Sequence, residues 1–418
     1  MTLNPNQIRT QFPAFTHHVN TIFFDNPAGT QVPQGVIDAY STYFSRMNAN
    51  AGGFFQTSRA TDEMTDDVRQ EMAYFLNANT PNEIVFGANM TTLNFALSRA
   101  LAQQLQPGDE VVLTRMDHDA NVAPWLRIAQ DHKLTVRWVD IIEADCTLDL
   151  DSLEAALTDR TKIVATVHAS NAVGTINPVA QIAQMAHAAN ALYVVDAVQS
   201  APHIPLDVQA IGCDFLLCSA YKFFGPHVGV MWGKHDLLQT LMPYKVRPAK
   251  DQPPYSWETG TPNFEGIAAL GAALMYLKTI GAQQRTYYQQ RFPAFSGDAL
   301  DYKCAMEAIR VYEQGLVTEL IDVLQTTPGV RIYGITDPAR YDDRCPTVVF
   351  THATHSAATI AQYLAKKHVY VWSGDYYAVE IMRRLGHADD GMVRVGLAHY
   401  NTHDEIQRFA TILRELLA

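Results

Sequence analysis

Between about residue 80 and residue 285 the chain alternates short, almost unbroken apolar runs with longer amphipathic stretches. The runs are EIVFG (83–87), EVVLTRM (110–116), LTVRWVDI (134–141), KIVATVH (162–168), LYVVDAV (192–198), FLLCSA (215–220) and VGVMWG (228–233). Strands that read as continuous Val, Ile and Leu, rather than alternating apolar with polar, are buried on both faces. The pattern therefore predicts an α/β domain with a mainly parallel seven-stranded sheet between helical layers. Too few residues separate the last two runs for a helical crossover, so at least one strand there is expected to be antiparallel. One predicted helix spans about Thr91 to Leu105 and stops at Pro107-Gly108.

After about residue 285 the texture changes. A long helical stretch, DALDYKCAMEAIRVYEQGLVTELIDVLQ, leads to shorter strands at VRIYG, TVVFT and HVYVW, then MVRVGLA and a C-terminal helix. This predicts a smaller α/β domain over residues 286–418, a large domain over 51–285, and a segment 1–50 packing beside the small domain. No repeats or low-complexity segments occur.

Composition narrows the function. In 418 residues, 48% hydrophobic content suffices for a sizeable core, and Lys plus Arg at 31 against Asp plus Glu at 43 gives a net charge of −12. That balance disfavours nucleic acid or an anionic membrane as partner, so any anion must be bound in a local pocket. The N-terminus lacks the pattern of a secretory signal and no apolar stretch approaches 18 residues, which predicts a cytoplasmic protein. Five cysteines are scattered without CxxC spacing, as expected of reduced thiols. His352 and His355 have no third candidate ligand nearby, so no metal is expected.

Open α/β sheets bind ligands at the carboxyl ends of their strands, and four polar groups stand there. In FGANMTTLNFAL (86–97) a strand passes through glycine into a polar helix start at Asn89 to Thr91. Exposed N–H groups and hydroxyls at such a start suit phosphate, although ordinary capping explains them equally. Asp196 ends an apolar strand, either as a salt-bridge partner or to face a protonated ring nitrogen, with Gln199 three residues on. His118 follows another strand, as a structural histidine or as a flat ring able to stack on a cofactor. Lys222, preceded by Ser219 and Tyr221, stands alone at the end of a buried strand before Gly225-Pro226. Together these supply what pyridoxal 5′-phosphate needs: a phosphate cradle, an acid for the ring nitrogen, a stacking ring and an amine for the aldehyde. The rival for such a sheet, a dinucleotide enzyme, would need GxGxxG between strand and helix; that motif is absent, as is GxxxxGK[ST].

The stretch HASNAVGTINPVAQIAQMAHAANALYVVDAVQSAPHIPLDVQAIGCDFLLCSAYKFFGPHVGVMWG (168–233) is similar to the core of the cysteine desulfurase branch of class V aminotransferases, which are homodimeric fold-type I pyridoxal phosphate enzymes. The likeness extends from FFDNPAGTQVP (23–33) through ETGTPNFEGIAAL (258–270) to VRVGLAHYNTHDEI (393–406). It implies that Lys222 holds the cofactor aldehyde, Asp196 the pyridine nitrogen and Gln199 the ring hydroxyl, with His118 stacking on the ring. It further implies that Asn171 lies beside cofactor and substrate, and that Ser219, Tyr221, Asn89, Met90 and Thr91 surround the phosphate. Tyr221 stands where the family has histidine, and Met90, where it has threonine, is expected to give only its backbone. Thr261 is implied to reach the phosphate of the other subunit, and Arg394 to clamp the substrate's α-carboxylate.

One loop departs from this resemblance. In VYVWSGDYYAVEIM (369–382), Tyr377 occupies the place of the desulfurase cysteine, Trp372 that of the usual arginine, and no cysteine follows Cys345. A phenol with a pKa of about 10 does not accept sulfur as a persulfide. The expected activity is therefore a lyase reaction, β-elimination on an α-amino acid, with transamination and epimerisation as alternatives and no sulfur-carrier partner. Tyr377 is read as a wall of the substrate pocket, with a proton-transfer role as the alternative. A non-enzymatic cofactor-binding scaffold is disfavoured by the presence of Lys222, Asp196 and Arg394.

Overall fold

The computed structural model describes residues 3–417; residues 1, 2 and 418 of the predicted divisions lie outside it. The seven apolar runs form one sheet in the order Ile84–Gly87, Gly229–Gly233, Phe215–Ser219, Leu192–Asp196, Thr161–Val167, Glu110–Thr114, Thr135–Val139. The neighbouring strands from Phe215–Ser219 to Thr135–Val139 are parallel, whereas Gly229–Gly233 runs antiparallel to both its neighbours. The short connection after Ser219 permits only that direction, as expected.

Successive side chains explain why these strands carry no polar alternation. Val111 and Leu113 pack with Leu97 and Trp125 on one side of the sheet, while Val112 joins the cluster of Met72 and Leu274 on the other. Both faces are covered by helices, so both must be apolar. The helix predicted over Thr91 to Leu105 runs Met90–Ala102 and starts with Asn89 as N-cap in a capping box with Thr92.

The second sheet has the order Val330–Tyr333, Thr347–His352, Met392–Gly396, Trp372–Gly374, all antiparallel. The single run expected at HVYVW serves two sheets. Val369–Tyr370 pairs in parallel with Ile22–Phe23, and only Trp372–Gly374 joins the four-stranded sheet. The N-terminal chain is thereby stitched to the C-terminal part. The division drawn at residue 285 falls inside helix Phe264–Tyr288. By length and composition Phe264–Arg291 would suffice to cross a membrane, which corrects the expectation that no segment comes close. Some 67% of its most apolar window is buried in the protein, so it reads as a core helix.

A close contact at the join fixes the loop after Phe24. The Gly396 N–H donates to Phe24 O at 2.8 Å, and a Cβ at residue 396 would lie 2.1 Å from the Pro27 ring. Only glycine lets the two backbones approach this far. Gly396→Ala is expected to lose about 3 kcal/mol of stability through overpacking, read as an earlier midpoint in urea denaturation with an unchanged slope.

Candidate active site

The strand ends carry the candidate residues. Asp196 closes Leu192–Asp196, Ser219 closes Phe215–Ser219, and Lys222 ends the tight turn Ala220–Lys222 that follows. That turn is pinned where the Ala220 N–H donates to Val228 O at 2.8 Å and the Phe223 N–H donates to Ala220 O at 2.9 Å.

Lys222 is 8% exposed. Its Nζ donates to Pro27 O at 2.6 Å and to Ala28 O at 3.0 Å, so its nearest partners are neutral carbonyls. Burial, assisted by the positive charge of Arg394 and opposed by Asp196, pushes the amine down to about 7. Asp196 accepts the Val198 N–H on Oδ1 at 2.8 Å. Burial pushes it up to about 6, against the pull of that bond and of Lys222.

The carbonyls that receive Lys222 belong to a loop nearly two hundred residues away in sequence. Asn26 holds it: Nδ2 donates to Phe23 O and Gly396 O, both at 2.9 Å, and Oδ1 accepts the Tyr400 hydroxyl. Pro27 O also accepts Gln199 Nε2 at 2.8 Å, while the buried Gln199 Oε1 has no partner among the described residues.

His118 accepts the Ala120 N–H on Nδ1 at 2.9 Å, which places the proton of the neutral ring on Nε2. Burial, then the charges of Lys222 and Arg394, push it down to about 4, so the ring is neutral. It stacks on Tyr377 with centroids 5.6 Å apart and planes at 29°. The residue before it, Asp117, is wholly buried, accepts Asn121 Nδ2 at 2.6 Å, and is raised above the ordinary carboxyl range by burial.

At the helix start the Met90 N–H donates to Ser219 Oγ at 2.9 Å, leaving the serine proton for another acceptor. The Met90 side chain is buried. Gly229 lies beneath: a Cβ there would sit 2.4 Å from the Asn89 carbonyl carbon. Tyr221 stacks on His227 at 4.9 Å, and its ring centroid is 4.6 Å from Lys222 Nζ.

Arg394 is 4% exposed and donates from Nη1 to Asn171 O at 3.0 Å. Arg394 Nε, Asn171 Oδ1 and Asp25 Oδ1 are buried without partners among the described residues. Burial pushes Asp25 up to about 6. The charges of Arg394 and Asp196 act on Lys222, and those of Lys222 and Arg394 act on His118. Thr261, by contrast, is exposed, and no hydrogen bond joins it to this group among the described residues. Asp25, Asn26, Asp117 and Tyr376 escaped the reading of the sequence. The polar pair inside FFDNPAG was a usable signal for the first two; for Asp117 and Tyr376 the signal was adjacency to His118 and Tyr377.

A description of the aminotransferase class-V family matches residues 22–301 and 294–409. A cysteine desulfurase of Serratia proteamaculans (strain 568) is 32% identical over 435 residues, covering 100% of this chain and 99% of that protein. The apo structure of a cysteine desulfurase from Thermococcus onnurineus NA1 superposes with a TM-score of 0.87 at 26% identity, over 100% of this chain and 99% of the other. The cysteine desulfurase CsdA from Escherichia coli, in its S-sulfonic acid form, gives a TM-score of 0.83 at 26% identity over 100% of both chains. With a fold-type I sheet, its smaller companion domain and this match over nearly its whole length, the chain belongs to the class V aminotransferase family.

Proposed function

We propose that this enzyme uses pyridoxal 5′-phosphate to eliminate a β-substituent from an α-amino acid. The observation that carries the reading is a buried amine, Lys222, whose Nζ meets the neutral carbonyls of Pro27 and Ala28 and which burial brings down to about 7 against the pull of the buried Asp196. The site fits the cofactor in its chemistry. Lys222 would hold the aldehyde, Asp196 the ring nitrogen, and the unpartnered Gln199 Oε1 the ring hydroxyl. The free proton of Ser219 and the turn Asn89, Met90, Thr91 would hold the phosphate, with Tyr221 beside it. The neutral ring of His118 would cover one face.

When bound, pyridoxal phosphate supplies an electron-withdrawing ring that acidifies the substrate's Cα–H. Arg394 binds the α-carboxylate, for which its buried and partly unpaired guanidinium is suited, and Asn171 lies beside it. An amine with a pKa near 7 is a base at neutral pH, so Lys222 Nζ takes the Cα proton. The Cα–H electron pair becomes the new double bond as the bond to the β-substituent breaks, and the substituent leaves with the electrons of that bond.

Elimination is favoured over persulfide formation by the state of the thiols. All five cysteines are buried, and burial pushes Cys146 and Cys304 up to about 11 and the other three higher. Tyr377 is 70% exposed and packs as a wall on His118. With no thiolate to charge, no sulfur-carrier partner is required. Free buried thiols also fit a cytoplasmic setting.

A homodimer is part of this proposal. Helix Gln34–Arg46 leaves Ile37, Tyr40 and Phe44 exposed, Phe44 by 50%, and Phe54 in the following loop is 96% exposed. Apolar surface of this kind marks an interface. A second copy would cover it and bring Thr261 to the other subunit's phosphate.

With cysteine or a β-chloro analogue as substrate, the purified holoenzyme is expected to release pyruvate and ammonia. Alanine together with a protein persulfide, or conversion of the cofactor to its amine form, would refute elimination. Phe44→Asp is expected to shift the protein from dimer to monomer in sedimentation and to weaken cofactor retention; a dimer that persists with full cofactor would refute the assembly.

A further inference from the structure

Tyr376 and Tyr377 both adopt positive φ, 55° and 58°, a region that bulky residues enter only when their surroundings compel it. The surroundings are specific. The Tyr377 N–H donates to Asp375 Oδ1 at 3.0 Å, and the Ala378 N–H to Asp375 O at 2.8 Å. The Asp119 N–H donates to Tyr377 O at 2.7 Å. The Tyr376 hydroxyl donates to Met392 O, on the strand that carries Arg394.

The consequence is the position of the Tyr376 ring. Arg394 Cζ lies over its face, 4.2 Å from the centroid. A closed circuit then ties three residues together: Arg394 Nη1 donates to Asn171 O at 3.0 Å, Asn171 Nδ2 donates to Tyr376 O at 2.9 Å, and the Tyr376 ring supports Arg394. The guanidinium is buried and forms no salt bridge among the described residues, although the charge of Asp25 acts on it. A π-face attracts a cation without neutralising it, so the charge and the unpaired Nε remain for a ligand anion. A carboxylate in the same place would compete with that anion.

We propose that Tyr376 is the positioning residue of Arg394, its left-handed backbone existing to lay an aromatic face under the guanidinium so that the cation is held in place and still unpaired. This rests on the reading of Arg394 as the binder of the substrate's carboxylate. Tyr376 acts through Arg394 and does not itself touch the reacting atoms.

The test uses holoenzyme titrated with L-alanine and with ethylamine, which differ only in the carboxylate, binding being followed by cofactor absorbance. Tyr376→Leu is expected to weaken L-alanine about tenfold, the size of one desolvated cation–π contact, and to leave ethylamine within about twofold. Tyr376→Phe keeps the face and is expected to retain the wild-type ratio. An unchanged L-alanine affinity in Tyr376→Leu, or equal losses for both ligands, overturns the proposal; so does a loss in Tyr376→Phe as large as in Tyr376→Leu. Arg394→Gln is the control. If it leaves the ratio of the two ligands unchanged, the reading of Arg394 fails and this proposal with it; if it abolishes the preference while Tyr376→Leu does not, only the role of Tyr376 falls.

Discussion

The site depends on keeping one amine out of water with no carboxylate in contact. Lys222 Nζ meets two backbone carbonyls, which accept its protons but carry no formal charge. Taking its affinity from 10.5 to about 7 corresponds to a difference on the order of 5 kcal/mol between charged and neutral forms. In the cofactor-free chain that penalty is fully present below about pH 7, because the unfolded state binds the proton more tightly. It is relieved as pH rises from about 7 toward 10.5. The fold tolerates the cost because the turn at Ala220–Lys222 and the loop at Pro27-Ala28 are each fixed by other contacts.

Those contacts explain why the N-terminal segment and the small sheet belong to the site. Asn26 is bonded to Gly396, and Gly396 precludes any side chain that would push Pro27 away. The carbonyls facing Lys222 are thus positioned by a strand that also carries Arg394. Movement of that strand would alter the amine and the guanidinium together.

Local patterning was enough to read the seven-stranded sheet, because two covered faces force continuous apolar runs, and the antiparallel strand followed from the brevity of one connection. Lys222, Asp196 and His118 were legible as lone polar groups at strand ends. The family resemblance supplied Arg394 and Asn171. Asn26 and Tyr376 were not legible, for a physical reason. Asn26 matters through bonds to residues up to 375 positions away, and Tyr376 through a backbone angle and a cation over its ring. The run HVYVW was read as one strand because its pattern is uniform, yet it is divided between two sheets.

The central claim is that the amine of Lys222 is buried and set near neutrality by its surroundings. It is tested most directly by following, in the cofactor-free protein, the reaction of Lys222 with an amine-directed acylating reagent as a function of pH, with the modified peptide quantified. Reactivity at residue 222 should rise with a midpoint near 7. A midpoint at the ordinary lysine value of 10.5 would contradict the account.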